Sequence, residues 1–429
     1  MRDALLFLIV FGSIPFIYKR PAWAMMMFTW ISLMNPHRLS YGAAYDFPFA
    51  ALYSGLIVFA LLVSKERKTM PINALTIALI VFCLWMNVTT LFAQAPDLAW
   101  KEWNRVMKTM GMIMLAMAVI RTERDIKWMT WVIGLSLGFW GLKGGIFTLK
   151  SGGSNHVFGP DGSYIGDNNA LALALITAAP IVWYLKSYAT KKILKLGMGL
   201  TVGLIIVSAA GSYSRGALLA GGTMLTFLWL KSRTKVRTAL VMLVCIPLLY
   251  QFMPEQWFSR METIDNYQDD GSAMGRINAW WFAFNVAKSS PLGGGFMTFT
   301  HEMFARYAPD PTDHHAAHSI YFQVLGEHGF IGLAMFLTFF FFAWRTGSRV
   351  IKQCKGKPEL KWAGDLAAMC QVSLAGYAVG GAFLTLAYYD LPYFIVVLLV
   401  ALERLVLKPE TVGELAQPAG APRLTKEFR

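Results

Sequence analysis

Three histidines, His314, His315 and His318, stand just ahead of one of the most apolar stretches of the chain, "SIYFQVLGEHGFIG". A helix starting near them would put His314 and His318 on one face at i, i+4, the geometry of a zinc pair, but the glutamate of an HExxH site is missing because position 315 is itself histidine. His314 and His315 read as solvated loop imidazoles. His318 sits at the mouth of the apolar run, where restricted water can tune an imidazole as a general base near neutral pH. Two arginines are the natural complement. Arg215, in "GSYSRGALLA", suits a phosphate through its planar fork, against the plainer readings of an ion pair or snorkelling to lipid. Arg276, in "SAMGRINAWWFAFNVAK", is expected in the first turn of a helix capped by Ser272, where backbone N–H donors would add to the guanidinium in holding a pyrophosphate; the plainer reading is contact with lipid headgroups.

Other candidates rank lower. Arg260 and Arg306 share the loop of Arg276 without its setting. Asp167, Asn168 and Asn169 in "GDNNALAL" fit a helix cap, with Asn169 kept as a supporting site residue. Tyr321 is a second supporting candidate. Glu327 is a third, although a carboxyl within an apolar run is costly and favours a hydrogen-bonded structural role; His328 adjoins it. Gly329 and Gly332 allow close helix approach.

The elements that must position these residues are membrane spans. Of 429 residues 56% are hydrophobic, and apolar runs long enough to cross about 30 Å of hydrocarbon recur from end to end. The expected fold is an all-α polytopic membrane protein with about twelve spans. Approximate limits are 4–18, 22–34, 47–63, 72–92, 106–120, 126–149, 170–185, 193–210, 216–230, 238–252, 320–344, 366–388 and 392–407, the first two short enough to form a re-entrant pair.

The net charge of +14 does not point to nucleic acid, because the cations fall in alternate loops. Lys19-Arg20, "KERK" at 65–68, "RTERDIK", "KSYATKKILK", "KSRTKVR" and "RTGSRVIKQCKGKPELK" each follow every second span and mark the cytoplasmic side. The longest loop, 253–318, then lies outside the cytoplasm and holds its own amphipathic helix, with Ile277, Trp280, Trp281 and Phe284 as a stripe lying flat on the membrane. The N-terminus lacks a small-residue cleavage site, so we expect it to be retained. Cys83, Cys245 and Cys370 fall in spans and Cys354 in a cytoplasmic loop, which leaves no external disulfide or CxxC pair. Residues 1–408 read as one integral membrane domain containing the loop, and 409–429 as a loose cytoplasmic tail.

Read from the residues alone, two arginines and one histidine at an external membrane-surface cavity fit chemistry on a phosphorylated lipid. "HSIYFQVLGEHGFIGL" resembles the H[NS]xxxxxxxExGxxG signature of the bacterial O-antigen ligase and polymerase superfamily, and "SYSRGALLA" is similar to its serine-arginine-glycine span start. "GRINAWWFAFNVAKSSPLGGGF" resembles the arginine helix and Pro-Leu-Gly turn of that family's periplasmic loop, and "GDNNALAL" its asparagine-alanine span. The N-terminal third, with "NPHRLSYG", is similar to an O-glycosylation ligase-like variant. Ser319 stands where many relatives have asparagine.

The resemblance implies a GT-C-like glycosyltransferase at the periplasmic face of a Gram-negative inner membrane, working without cofactor or metal. Its donor would be an undecaprenyl pyrophosphate-linked glycan and its acceptor lipid A-core. His318 would be the base and Arg215 and Arg276 the pyrophosphate binders, with inversion at the anomeric carbon. An O-antigen polymerase or a protein O-oligosaccharyltransferase would share the donor site. A lipid-diphosphate transporter or flippase is a reading of another class, though neither inverted repeats nor mid-depth charges are clear. A serine protease using Ser214 or Ser319 has no legible catalytic pairing.

Overall fold

The computed structural model describes residues 1–17, 20–63, 69–231, 234–255, 257–258 and 271–407. Lys19, the "KERK" run, part of "KSRTKVR", positions 256 and 259–270 of the long loop with Arg260, and the tail lie outside the described residues, as do the side chains of Ser272 and Cys245. Among the described residues the regular structure is helical, with no strand.

The helices are α1 (Arg2–Ile17), α2 (Pro21–Met34), α3 (Phe49–Val63), α4 (Ala74–Leu91), α5 (Pro96–Val119), α6 (Glu123–Lys150), α7 (Asn168–Tyr188) and α8 (Lys192–Ala210). They continue with α9 (Arg215–Lys231), α10 (Lys235–Phe252), α11 (Gly271–Ser289), α12 (His301–Tyr307), α13 (Ile320–Cys354), α14 (Lys361–Gly380) and α15 (Asp390–Leu407). Among the described residues six helices are long and apolar enough to cross a membrane: α4, α6, α7, α8, α13 and the run Pro358–Phe383 that contains α14.

Local sequence sets the starts. Asn73 with Thr76, and Thr122 with Asp125, form reciprocal capping boxes at α4 and α6. Asp167 caps α7 by accepting from the N–H groups of Asn169 and Ala170.

Three boundaries differ from expectation. Helix α5 begins at Pro96 rather than near Val106, because Lys101, Glu102, Arg105 and Lys108 dilute hydropathy without interrupting a helix that Pro96 starts well. The expected span over 366–388 stops at Gly380. A 3₁₀ turn, Gly381–Phe383, follows, then non-helical chain to Tyr389. Helix α13 runs on to Cys354, so that cysteine ends a helix, buried, instead of lying in a loop.

Two helices form the interior. Residues 170–182 of α7 and 390–403 of α15 are buried without a break, the pattern of helices enclosed on all sides. Helix α6 approaches α8 through glycines: a Cβ on Gly145 would lie 2.4 Å from the carbonyl oxygen of Leu204, so only glycine permits this approach.

Helix α13 breaks at Gly329, whose φ of 69° is non-helical. The break withdraws the usual donors from the carbonyls of Gly326 and Glu327. The turn after α11 replaces them: Gly294 N–H donates to Gly326 O at 2.9 Å and Gly295 N–H to Glu327 O at 2.8 Å. A Cβ at position 329 would meet Pro291 O at 2.2 Å. Gly329 therefore does more than permit close approach; it is the joint at which the Pro-Leu-Gly turn enters the helix.

Helix α11 is held from within. Ala279, Phe282, Ala283 and Val286 are buried at helical spacing, and Phe282 stacks on Phe304 of α12 with ring centres 4.3 Å apart. Asn278 donates to the carbonyls of Asp310 and Asp313 and accepts from Asp310 N–H. The expected surface stripe is divided: Trp281 and Phe284 are exposed, but Trp280 turns inward and stacks on Phe322 of α13.

Candidate active site

Helices α7, α9 and α11 and the segment after α14 meet around one small cavity of about 30 Å³, lined by Asn169, Tyr213, Ser214, Arg215, Gly216, Arg276, Phe383 and Leu384. The volume is room for about two waters. Arg215 is the first residue of α9. Tyr213 reaches the preceding turn with a left-handed φ of 59°, and its hydroxyl donates to Gly153 O. Asn168 Nδ2 donates to Ser212 O at 2.7 Å, tying the start of α7 to the turn that delivers Arg215.

Arg276 enters from α11. This helix is already formed at Gly271, which places Arg276 in its second turn rather than its first. The helix thus starts one residue earlier than a cap at Ser272 would have it.

His318 is attached to the same wall. Its N–H donates to Thr385 Oγ1 at 2.9 Å, and Leu384, next in the chain, lines the cavity. The preceding carbonyl, Ala317 O, accepts from Trp280 Nε1 on α11. Two bonds thus hold the backbone of His318, which has a left-handed φ of 43°. Burial depresses the pKa of His318, the positive charge of Arg276 and then His315 depress it further, and Asp167 opposes them. The imidazole is therefore biased toward its neutral, proton-accepting form.

The other candidates divide. Asn169 joins the cavity. Tyr321 does not line it; its hydroxyl donates to Ala378 O and joins α13 to α14. Glu327 is buried at the Gly329 break, where its carboxyl accepts from Tyr388 OH at 2.6 Å and Met297 N–H at 3.1 Å. His328 Nδ1 lies 2.7 Å from Thr89 Oγ1.

Because α13 begins only at Ile320, His314 and His318 do not share a helical face. His314 and His315 are also less solvated than expected. His314 Nε2 lies 2.9 Å from Phe299 O and its ring packs on His301, while His315 Nε2 pairs with Asp313 at 2.7 Å. Among the described residues no group of three or more His, Cys, Asp or Glu side chains could hold a metal ion. Arg306 is exposed on α12. Ser214 and Ser319 serve as helix caps, accepting from Ala217 N–H and Phe322 N–H, which gives neither the setting of a nucleophile.

Sequence reading missed Thr385, Trp280 as an inward anchor, and the whole non-helical segment after Gly381. The adjacent glycines Gly380 and Gly381 were the available signal, hidden within an otherwise apolar run.

Residues 200–337, which include Arg215, Arg276, His318, Tyr321 and Glu327, match the family model described as O-Antigen ligase. Over this segment the chain is similar to the O-antigen ligase superfamily. Residues 1–190, which include Asn169, match a family of unknown function (DUF5935). No curated protein matches the chain. The O-antigen ligase match stops at 337, so Thr385 and Leu384, which complete the wall beside His318, come from beyond it.

Proposed function

We propose that the protein transfers a glycan from undecaprenyl pyrophosphate to a sugar hydroxyl of lipid A-core at the periplasmic face of a bacterial inner membrane. The observation that carries this reading is the meeting of Arg215 and Arg276 at one cavity whose wall also holds the backbone of His318. The family match supports a ligase in general, and the charge alternation supports a cavity that opens outside the cytoplasm.

A cavity of about 30 Å³ does not enclose a diphosphate, so the anion would bind at its mouth between the two guanidiniums. There they neutralise charge that grows on the leaving oxygen as the glycosidic C–O bond breaks. Neutral His318 accepts the proton of the acceptor hydroxyl as that oxygen bonds to the anomeric carbon from the opposite face. The products are an inverted glycoside, free undecaprenyl pyrophosphate and a protonated imidazole that returns its proton to water. Neither a cofactor nor a metal is needed to balance this step.

The deciding experiment supplies purified protein with lipid-linked glycan together with lipid A-core, a serine- and threonine-containing peptide, or no acceptor. We expect capped lipid A-core. Lengthened donor alone would make the protein a polymerase, a glycosylated peptide would make it a protein O-oligosaccharyltransferase, and donor translocation without transfer would make it a flippase.

A further inference from the structure

The N-terminal half of α5 carries Asp97, Lys101, Asn104, Arg105 and Lys108 at i, i+4, i+7, i+8 and i+11, so these polar side chains share one helix face, and all are exposed. Their depth follows from α4. Trp103 Nε1 donates to Asn87 Oδ1 at 2.9 Å, and Asn87 Nδ2 reaches Met107 Sδ at 3.7 Å. Residues 103–107 therefore stand beside Asn87, inside the Leu91 end of a helix long and apolar enough to span a membrane. Leu84, Val88 and Leu91 of α4, which bracket that level, are apolar and 60%, 38% and 66% exposed, as lipid-facing side chains are. Arg105 is at this depth, and Lys108 lies just beneath it.

Charges at such depth line water-filled recesses or meet counter-charges; they do not face hydrocarbon. The face is bounded below and at Arg105. Below Lys108 it closes, with Met112 buried and Leu115 partly buried. At Arg105 it is covered by Tyr164, whose ring centre is 3.7 Å from the guanidinium carbon. Glu102 lies 3.6 Å from Arg105 and 3.5 Å from the Tyr164 hydroxyl, which fixes Arg105 in place and leaves no need for it to snorkel. Glu102 is thus engaged with Arg105, Asp390 is buried and also faces Arg105 electrostatically, and Asp97 lies at the outer end, which leaves Lys101 and Lys108 as the exposed cations of this face.

We propose that this face of α5 is a binding site for the phosphate headgroup of an anionic lipid, which enters sideways with its acyl chains along the exposed apolar side chains of α4. Its residues are separate from those around the Arg215–Arg276 cavity, and the inference does not rest on the transfer reaction. Two ammonium groups and a planar guanidinium match a phosphate that carries net negative charge, whereas a zwitterionic headgroup brings a competing cation.

Native mass spectrometry of the full chain, supplied with equal amounts of phosphatidic acid and phosphatidylcholine, tests this. Wild type should retain phosphatidic acid selectively. The double variant Lys101→Gln/Lys108→Gln should retain at least about tenfold less, while Lys101→Arg/Lys108→Arg should bind as wild type does. Undiminished retention by the glutamine variant, equal retention of phosphatidylcholine, loss in the arginine variant, or inorganic phosphate bound as tightly as phosphatidic acid would each overturn the proposal.

Discussion

At the scale of single residues, His318 joins two requirements that seldom coincide: a restrained backbone and an imidazole kept neutral. Replacing His318 with Ala should reduce transfer by about 10²–10⁴-fold, the usual contribution of a general base, while donor binding persists. Single-turnover measurement alongside donor binding checks this, and retained transfer would remove the role. The pH dependence has a definite sign. Burial and Arg276 hold the imidazole below its ordinary value of 6.5, so the acid limb of the rate profile should fall below that pH. Arg276→Gln removes a neighbouring positive charge and should move the limb upward at saturating donor. For the arginines the expected effect is on donor engagement. Arg215→Gln should raise the donor KM by about tenfold or more, the loss of one charge-assisted contact, and unchanged kinetics would make Arg215 a structural residue.

At the scale of elements, the joint between the α11 turn and α13 decides where the site's walls stand. Gly329→Ala would force a side chain into a left-handed conformation and against Pro291 O. We predict a loss of at least about 2 kcal/mol in stability, visible as a lower unfolding midpoint in detergent, with a wild-type midpoint as the contrary result. Sequence order made the partners of this joint visible, since the glycine-rich turn and the "GEHGFIG" run were both singled out. Their contact was not visible. Whether a glycine bends, breaks or packs depends on which carbonyls are left without donors, and those donors come from residues far away in the chain. The same limit explains α11: its apolar residues were recognised, yet Trp280 lies on the inward side because Phe322 and Ala317 O offer it a stacking face and an acceptor there.

At the scale of the molecule, the charge alternation predicts which loops share a side. Cysteine introduced at exposed Ser154, between α6 and α7, should react with an impermeant maleimide from outside intact spheroplasts. Cysteine at exposed Thr190, between α7 and α8, should react only after permeabilisation. The opposite labelling would invert the topology and remove the site from the periplasm. What the sequence determined on its own was the helical membrane character, most helix positions and the identity of the two arginines that meet, because hydropathy and helix capping act over a few residues at a time. Tertiary structure alone decided that the segment after Gly380 leaves the helix to supply Thr385 and Leu384, that Arg276 sits a turn further in, and that Arg105 of α5 packs against Tyr164. Each depends on hydrogen bonds, packing and enclosure between residues distant along the chain, and no local pattern encodes which of them will meet.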